Sequence, residues 1–257
     1  MRVRAIVLAG YGFNSDAELA EAFRLAGAAP ERLHLSDLLA EPALLEGASI
    51  VALPGGFSFG DHLGSAQVVA NLLRTRLAEA LRAHHARGGL TLGICNGFQA
   101  LVKSGFLPWP DSGERSVTLV HNESGRFVDD WVRVSFDDSG ACPWTAGLSP
   151  RELPIRHGEG RFTARDAAVL ERVEREGLVA LRYEGSNPNG SANGIAGLRD
   201  PSGRVIGLMP HPEAFLIPEN HPLRRRGFDG GTGLPFFENA VKAAAAGQSP
   251  GSRPAVL

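Results

Sequence analysis

The N-terminal half of the chain alternates short apolar runs with segments of helical periodicity, and this alternation constrains the fold most strongly. Each run ends at a glycine, a proline or a polar turn, which is typical of parallel strands that are buried on both faces. The predicted strands are residues 3–9, 32–35, 49–53 and 90–94. The alternation predicts an α/β fold with a mostly parallel central sheet, helices on both faces and ligands beyond the carboxyl ends of the strands.

The C-terminal half has a different texture, with short strand-like pieces and few helical segments. The predicted elements are strands at 117–120, 131–136, 153–155, 178–183 and 204–209, a polar helix near 165–176 and a terminal helix at 234–246. The strand-like pieces from 117 to 183 indicate a smaller antiparallel portion, and 204–209 is a last apolar strand. Because no change in composition marks a linker, we expect a single domain over residues 1–247 and a flexible C-terminal tail over residues 248–257.

Composition excludes several classes of function. The 26 basic and 28 acidic residues give a net charge of -2. The chain therefore lacks the excess of positive charge that nucleic-acid binding needs. No run approaches the roughly 18 apolar residues of a membrane span. Cys95 and Cys142 give no disulfide framework, and the opening apolar run is too short for a secretion signal. We therefore expect a cytoplasmic protein with free thiols that binds neither nucleic acid nor membrane.

The sequence GICNGF at residues 93–98 places Cys95 where a buried strand meets a new helix. Gly93 and Gly97 allow the sharp strand-to-helix turn that presents a nucleophile. The amide dipoles at the helix start favour a thiolate, and the N–H of Asn96 points to where an oxyanion would form. A buried structural cysteine in a glycine-rich loop gives the same pattern, so the motif alone leaves both interpretations open.

A base for that cysteine is available after the last predicted strand, where His211 is followed by Pro212 and Glu213. Pro212, with its fixed φ, is expected to hold the segment extended, so that Glu213 and His211 face the same side. The carboxylate would then orient the imidazole. A solvated loop is the alternative interpretation. Because Cys95 and His211 both follow apolar strands, the predicted sheet brings them to the same edge.

Two further segments could contact a substrate at that edge. Gly55, Gly56 and Phe57 follow the third strand in the sequence PGGFSFGD at residues 54–61, and free N–H groups there could complete an oxyanion hole. Gln99 lies one helical turn after Cys95 and would project beside it. The alternatives are a glycine-rich turn and an exposed helix residue.

Simpler local patterns carry structural predictions. Ser15 and Glu18 fit a capping box at the start of the first helix. His84 and His85 are adjacent on a helix that is predicted to face solvent. They are not expected to bind a metal, since metal ligands that share a helix face lie four residues apart. Cys142 has no base or glycine frame beside it and is predicted to take no part in catalysis.

In combination, the segments PGGFSFGD, GICNGFQ and PHPE resemble, in order and spacing, the class I (triad) glutamine amidotransferases, which have a flavodoxin-like fold. The chain is most similar to the glutaminase subunits of phosphoribosylformylglycinamidine synthase, from purine biosynthesis. Four motifs that other amidotransferases lack carry this narrower resemblance: GFNSD at 12–16, NESGRF at 122–127, PIRHGEG at 154–160 and NPNGS at 187–191. The resemblance covers residue 3 to about residue 243.

The resemblance implies a reaction and a set of site residues. L-Glutamine would be hydrolysed through a cysteine thioester, with no metal or cofactor in this chain. In the triad, Cys95 would be the nucleophile, His211 would be its base and Glu213 would be the third member. The amides of Gly56 and Asn96 would form the oxyanion hole. The other expected substrate contacts are Gly55, Phe57 and Gln99.

The resemblance also implies partners. The ammonia would pass to a large synthetase subunit that uses ATP and Mg²⁺ to convert formylglycinamide ribonucleotide to formylglycinamidine ribonucleotide, with a small bridging subunit in the complex. Glutaminase activity is expected to be weak alone and to rise when the synthetase binds. The chain departs from the family pattern at Ser15, at Asp129 and Asp130 and over residues 224–233, which concern the partner interface rather than the triad. His157 and Glu159 could pair near the active edge, where the resemblance implies contact with the partner or with the surroundings of the nucleophile, and a structural turn is the alternative interpretation.

Three other hypotheses stay open on the sequence alone. One is the glutaminase of another amidotransferase complex, and a second is a cysteine hydrolase or deglycase on a related fold. The third is a nucleotide-binding module, supported by the glycine-rich turn at residues 10–15, although the third glycine of the dinucleotide fingerprint is missing. Labelling of Cys95 by a glutamine-like diazoketone discriminates the amidotransferase from the hydrolase.

Overall fold

The computed structural model describes residues 2–137, 139–228 and 230–247. The predicted tail, residues 248–257, lies outside the described residues. The strands are β1 Arg4–Ala9, β2 Ala29–His34, β3 Ile50–Leu53, β4 Leu90–Ile94, β5 Val117–Val120, β6 Val128–Phe136, β7 Arg151–His157, β8 Arg161–Ala164, β9 Val179–Tyr183, β10 Ile195–Arg199 and β11 Val205–Leu208. The helices are α1 Asp16–Leu25, α2 Leu35–Ala40, α3 Gln67–Leu72, α4 Ala78–Ala86, α5 Asn96–Ser104, α6 Ala167–Arg175 and α7 Leu234–Gly247.

A nine-stranded sheet in the order β2-β1-β3-β4-β11-β10-β9-β6-β7 forms the centre of the molecule, and a separate small sheet pairs β5 with β8. The first five strands in this order, β2, β1, β3, β4 and β11, run parallel to one another. The other four, β10, β9, β6 and β7, extend the sheet with antiparallel pairs. Every side chain of β3 and β4 is buried, as expected for parallel strands covered by helices. The predicted α/β fold with an antiparallel portion is confirmed.

Helices pack around the sheet through apolar faces. Phe23 of α1 meets Phe237 of α7 edge to face, with ring centroids 5.2 Å apart. A π-helical turn, Leu73–Leu77, joins α3 to α4. Across the described ranges, no helix has the length and hydropathy to cross a bilayer.

Two strands are not predicted from the sequence, and each has a reason. β8 has one buried side chain among four, so it lacks an apolar run. β10 contains Gly197, where an added Cβ atom would lie 2.7 Å from the carbonyl oxygen of Gly207 in β11. This close strand contact needs a glycine, and a glycine in a sequence pattern indicates a break.

The predicted capping box at the start of α1 is wrong. Ser15 makes no side-chain hydrogen bond to the helix end. Instead, Nη2 of Arg156 lies 3.3 Å from Oγ of Ser15 and donates to Oε2 of Glu18 at 2.6 Å. In α6, by contrast, the side chain of Asp166 accepts a hydrogen bond from the N–H of Val169 at 2.9 Å. A long-range partner therefore takes the side chains that local sequence assigns to capping.

The predicted solvent exposure of His84 and His85 is also wrong. His84 is fully buried, and its Nε2 lies 3.0 Å from the carbonyl oxygen of Leu90. The side chain of His85 is only 12% exposed. Burial lowers the pKa of both histidines. The imidazole of His84 lies over Gly89, where a Cβ atom would come within 2.2 Å of Cε1, so this glycine leaves the space that the buried ring occupies.

Candidate active site

The loops after the parallel strands β1, β3, β4 and β11 meet at one edge of the sheet. Asn14 lies after β1, Gly55 and Gly56 lie after β3, Cys95 lies after β4, and His211 lies after β11. This is the carboxyl edge, where parallel α/β sheets place their ligands. The predicted convergence of the cysteine and the histidine is therefore found in the structure.

Cys95 occupies the tight turn between β4 and α5. Its backbone has φ 51° and ψ -106°, a conformation that is unfavourable for a residue with a side chain. The turn depends on glycines: a Cβ atom at Gly93 would lie 2.6 Å from the carbonyl oxygen of Gly97, and one at Gly97 would lie 2.0 Å from that of Leu53. The start of α5 can therefore approach β3 closely enough to hold Cys95 in this strained position.

His211 and Glu213 form a buried pair after β11. Nδ1 of the imidazole lies 2.6 Å from Oε1 of the carboxylate, and neither residue is more than 2% exposed. The prediction of an extended segment is wrong, because Pro212 begins a short 3₁₀ turn, Pro212–Ala214. Burial acts to lower the pKa of His211, but the charges of Glu213 and Cys95 outweigh burial and raise this pKa to about 10. The imidazole is therefore cationic at neutral pH.

Cys95 and His211 lie on two sides of Gly55. A Cβ atom at Gly55 would come 2.7 Å from Cε1 of His211 and 3.5 Å from Cβ of Cys95. Sγ of Cys95 lies 3.9 Å from the carbonyl oxygen of Arg156, and Nε2 of His211 is buried with no hydrogen-bond partner among the described residues. The imidazole nitrogen that faces away from Glu213 is thus available for proton exchange.

Among the described residues, two backbone N–H groups beside Cys95 have no hydrogen-bond acceptor. Asn96 is the first residue of α5, so its N–H has no acceptor within the helix. The loop at Gly56 pairs with the loop after β1, where Asn14 donates to the carbonyl oxygen of Gly55 at 3.0 Å and Phe57 donates to that of Gly12 at 2.9 Å. Within the described part of the chain, the N–H of Gly56 has no such acceptor. Such N–H groups are suited to binding an oxyanion.

The side chains of Asn96 and Gln99 are buried and already paired. Asn96 donates through Nδ2 to Oε1 of Gln99 at 3.0 Å and to Oδ1 of Asp61 at 3.2 Å. Gln99 donates through Nε2 to the carbonyl oxygen of Glu159 at 2.6 Å. The predicted substrate contact of Gln99 stays a prediction, and in this conformation its amide braces α5 against the turn after β7.

A cavity of about 220 Å³ opens beside the sulfur atom. This volume is below that of pockets for drug-sized ligands and fits a molecule such as a single amino acid. The exposed rings of Phe57 and Phe127 lie at its mouth with centroids 6.3 Å apart. The lining residues are Asn14, Ser15, Glu18, Gly56, Phe57, Cys95, Phe127, Arg156 and His211. Sequence patterns alone do not select Glu18 or Arg156 for the site, although Arg156 lies in the PIRHGEG motif.

His157 lies close to this site but is held differently from His211. The amide of Asn122 donates to the carbonyl oxygens of Arg126 and His157, so its Oδ1 must accept from Nδ1 of His157 at 3.0 Å. Burial, aided by the charge of His211, lowers the pKa of His157 to about 4. His157 is thus neutral at pH 7, with Nε2 unprotonated. In the described ranges, no group of three or more His, Cys, Asp or Glu residues could hold a metal ion.

The comparisons with known proteins agree with this geometry. A family model described as a CobB/CobQ-like glutamine amidotransferase domain matches residues 2–243. The chain belongs to this amidotransferase family. The predicted family is therefore confirmed.

Curated relatives narrow the placement of this amidotransferase. Phosphoribosylformylglycinamidine synthase subunit PurQ of Dehalococcoides mccartyi is 41% identical over 251 residues, which are 94% of this chain and 97% of the relative. The PurQ subunit of Methanococcus maripaludis is 39% identical over 231 residues, 85% of this chain and 86% of the relative. A chain in the solved structure of PurLQS from Thermotoga maritima superposes with a TM-score of 0.74 at 32% identity, covering 94% of this chain and 99% of that chain.

Proposed function

We propose that this chain is the glutaminase subunit of a phosphoribosylformylglycinamidine synthase and that it hydrolyses L-glutamine at Cys95. The names of the relatives support the subunit. One observation carries the chemistry: Cys95 and the buried His211–Glu213 pair border a single glycine, Gly55, at the carboxyl edge of the sheet. A sulfur nucleophile, an imidazole and an orienting carboxylate form a complete triad.

The proposed reaction starts from a thiolate at Cys95 and a protonated His211. The sulfur attacks Cδ of the glutamine amide and forms a C–S bond, which gives a tetrahedral intermediate with a negative oxygen. His211 gives its proton to the amide nitrogen as the C–N bond breaks, so that ammonia leaves and a γ-glutamyl thioester remains. Water then attacks the thioester, His211 accepts the water proton, the C–S bond breaks, and glutamate leaves.

The surroundings of the sulfur stabilise each charge in this sequence. The free N–H groups of Gly56 and Asn96 are proposed to bind the oxyanion. Glu213 keeps the imidazole protonated and oriented before the attack, since it holds Nδ1 at 2.6 Å and leaves Nε2 for the proton transfers. Loss of one oxyanion donor typically costs about 10²- to 10³-fold in rate.

The ammonia is proposed to serve a partner. A large synthetase subunit would use it, with ATP and Mg²⁺, to convert formylglycinamide ribonucleotide to formylglycinamidine ribonucleotide, and a small bridging subunit would join the complex. The relative of known structure, PurLQS from Thermotoga maritima, supports this assembly by its name. No cofactor is assigned to this chain.

The test uses the reconstituted complex of this chain with its candidate synthetase and bridging subunits. Product formation is followed with glutamine or with ammonium as the nitrogen source. Cys95→Ala is expected to lower glutamine-dependent synthesis by at least about 10³-fold and to leave ammonium-dependent synthesis unchanged. Cys142→Ala is the matched control, because this second thiol is buried with Sγ 3.6 Å from the carbonyl oxygen of Gly203.

Two results would contradict the proposal. If the Cys95→Ala complex still carries out glutamine-dependent synthesis, Cys95 is not the nucleophile. Glutamine turnover by wild-type protein at the same rate with and without the synthetase would contradict the coupling between the two subunits.

A further inference from the structure

The cavity beside Cys95 contains two opposite charges that the proposed triad does not use. The guanidinium of Arg156 and the carboxylate of Glu18 both line it, with Ser15 between them in the loop before α1. Glu18 and Arg156 lie 138 positions apart in the chain, and the fold brings them together at the substrate cavity. The proposed substrate, a free amino acid, carries one negative and one positive group at its α-carbon.

The hydrogen bonds of this cluster leave binding capacity on both partners. Arg156 donates to Ser15 at 3.3 Å and to Glu18 at 2.6 Å, and both contacts come from Nη2. Within the described residues, its Nε and Nη1 donate to no protein acceptor, and Oε1 of Glu18 accepts from no protein donor. The N–H groups of Nε and Nη1 point in different directions, so each is available to a separate acceptor oxygen, and a hydrogen bond from a guanidinium to a carboxylate is charge-assisted.

Arg156 connects the surroundings of the sulfur atom with Glu18. Its main-chain carbonyl oxygen lies 3.9 Å from Sγ of Cys95, while its side chain extends to Glu18. A substrate whose amide carbon lies at the sulfur has two methylene groups before the α-carbon. Cys95, Arg156 and Glu18 line one cavity, so the head group of such a substrate would lie in the same cavity as the two charges.

We infer that Arg156, Glu18 and Ser15 form the subsite that recognises the α-amino acid head group of glutamine. Arg156 binds the α-carboxylate through one of its free donors, Nε or Nη1, and Glu18 binds the α-ammonium through Oε1. Ser15 holds Nη2 and so orients the guanidinium. The inference rests on the proposed glutaminase function and adds residues that select the substrate.

The failed capping box supports this subsite independently. Ser15 and Glu18 have the spacing to cap α1, yet Ser15 makes no cap hydrogen bond and both side chains meet Arg156. A side chain that departs from its local structural role often serves function. Gln99, the other candidate for this contact, has both polar side-chain atoms hydrogen-bonded within the protein.

The test compares glutamine with two analogues that keep the side-chain amide. 4-Aminobutanamide lacks the α-carboxylate, and glutaric acid monoamide lacks the α-ammonium. Ammonia release is measured in the complex with the synthetase. Arg156→Met is expected to lower kcat/KM for glutamine by about 10- to 100-fold, mainly through KM, because a charge-assisted hydrogen bond is lost. The same variant should change kcat/KM for 4-aminobutanamide by less than about 3-fold.

Glu18→Gln gives the reciprocal pattern. It should lower kcat/KM for glutamine and leave that for glutaric acid monoamide nearly unchanged. Arg133→Met is the matched control, since Arg133 forms a similar pair with Glu184 at 3.0 Å but does not line the cavity. Calorimetric binding of glutamine to Cys95→Ala and to Cys95→Ala/Arg156→Met measures the head-group contact without turnover, and circular dichroism verifies that each variant is folded.

Specific outcomes overturn the subsite. If Arg156→Met lowers kcat/KM equally for glutamine and for 4-aminobutanamide, or if glutamine binds both Cys95→Ala variants with the same Kd, Arg156 does not bind the carboxylate. If the wild-type complex hydrolyses glutamine while Arg156→Met keeps its KM, the glutaminase function stands and the subsite fails. A wild-type complex that releases no ammonia from glutamine overturns both.

Discussion

Histidines illustrate how the surroundings of a single residue set its charge. Burial acts to lower the pKa of both His211 and His157, but only His211 has a carboxylate at its Nδ1. The neutral amide of Asn122 takes that position for His157. The pKa of His211 is therefore raised to about 10, while that of His157 is lowered to about 4. One residue type thus provides a proton donor and a neutral acceptor in the same region.

His157 should make the protein sensitive to acid. Its pKa in the folded state is lower than the ordinary histidine value of 6.5, so the unfolded chain binds the extra proton first. The free energy of unfolding should fall by up to about 3 kcal/mol as pH drops from 6.5 to 4. His157→Asn keeps a donor for Asn122 but does not titrate, so urea titrations across this range should show a weaker pH dependence.

The wild-type protein, titrated with urea over the same pH range, is the control for that experiment. An identical acid sensitivity in His157→Asn and wild type would contradict the assignment. His211 acts in the opposite direction: its stabilisation is complete below pH 6.5 and is lost as pH rises toward 10.

The two cysteines should differ in reactivity. Cys95 lines the cavity, whereas Cys142 is 1% exposed and burial raises its pKa. A glutamine-like diazoketone should therefore modify the native protein once, at Cys95, as measured by mass spectrometry of the intact chain and its peptides. Cys142 should react with a general alkylating reagent only after unfolding. Modification of the Cys95→Ala variant under native conditions would contradict this prediction.

At the scale of elements, the site depends on how closely α5 approaches the sheet. The helix begins directly after Cys95, and Gly97 in its first turn contacts the main chain at Leu53 of β3. Glycine is a poor helix former, so its presence there reflects packing rather than helix propensity. The same approach sets the position of the Asn96 N–H, because Asn96 lies between Cys95 and Gly97.

Gly97→Ala should therefore destabilise the protein although alanine favours helices. The added methyl group would lie 2.0 Å from the carbonyl oxygen of Leu53, so α5 must shift. We expect a loss of about 1–3 kcal/mol in the free energy of unfolding, measured by urea denaturation. We also expect a lower glutaminase kcat for the fraction of the protein that is folded. Gly231→Ala is the control, because the nearest atom to its new methyl group is 3.6 Å away, at Arg151. Equal effects of the two substitutions would contradict this explanation.

At the scale of the whole molecule, one sheet joins the two halves of the chain. β11, the last strand in the chain, pairs with parallel β4 on one side and with antiparallel β10 on the other. It therefore links the parallel part of the sheet to the antiparallel part. His211 follows β11 and its N–H donates to the carbonyl oxygen of Pro154 in β7 at 2.8 Å. The base of the proposed triad therefore depends on both halves.

We propose on this basis that residues 1–247 form one domain that unfolds cooperatively. The three tryptophans, Trp109, Trp131 and Trp144, follow α5 in the chain, whereas most helices precede them. Fluorescence and far-ultraviolet circular dichroism should therefore give the same urea midpoint. Two separate midpoints would show that the parallel and antiparallel parts unfold independently.

The sequence by itself determined the parallel sheet and the position of Cys95 at a strand-to-helix turn. The predicted strand at residues 90–94 has the bounds of β4, and that at 117–120 has the bounds of β5. Short apolar runs and glycine spacing record burial and backbone geometry within a few residues, so they can be interpreted locally. The motif at Cys95 belongs to this class, since the strand, the turn and the helix that shape it are contiguous.

Only the tertiary structure decided which distant side chains meet and what charge they carry. A serine and a glutamate at a helix start have the same sequence pattern whether they cap the helix or bind Arg156. Likewise, a histidine on a helix gives no sign that a glycine after it leaves space for burial, as Gly89 does for His84. These outcomes depend on packing between segments far apart in the chain, and burial and nearby charge then set each pKa.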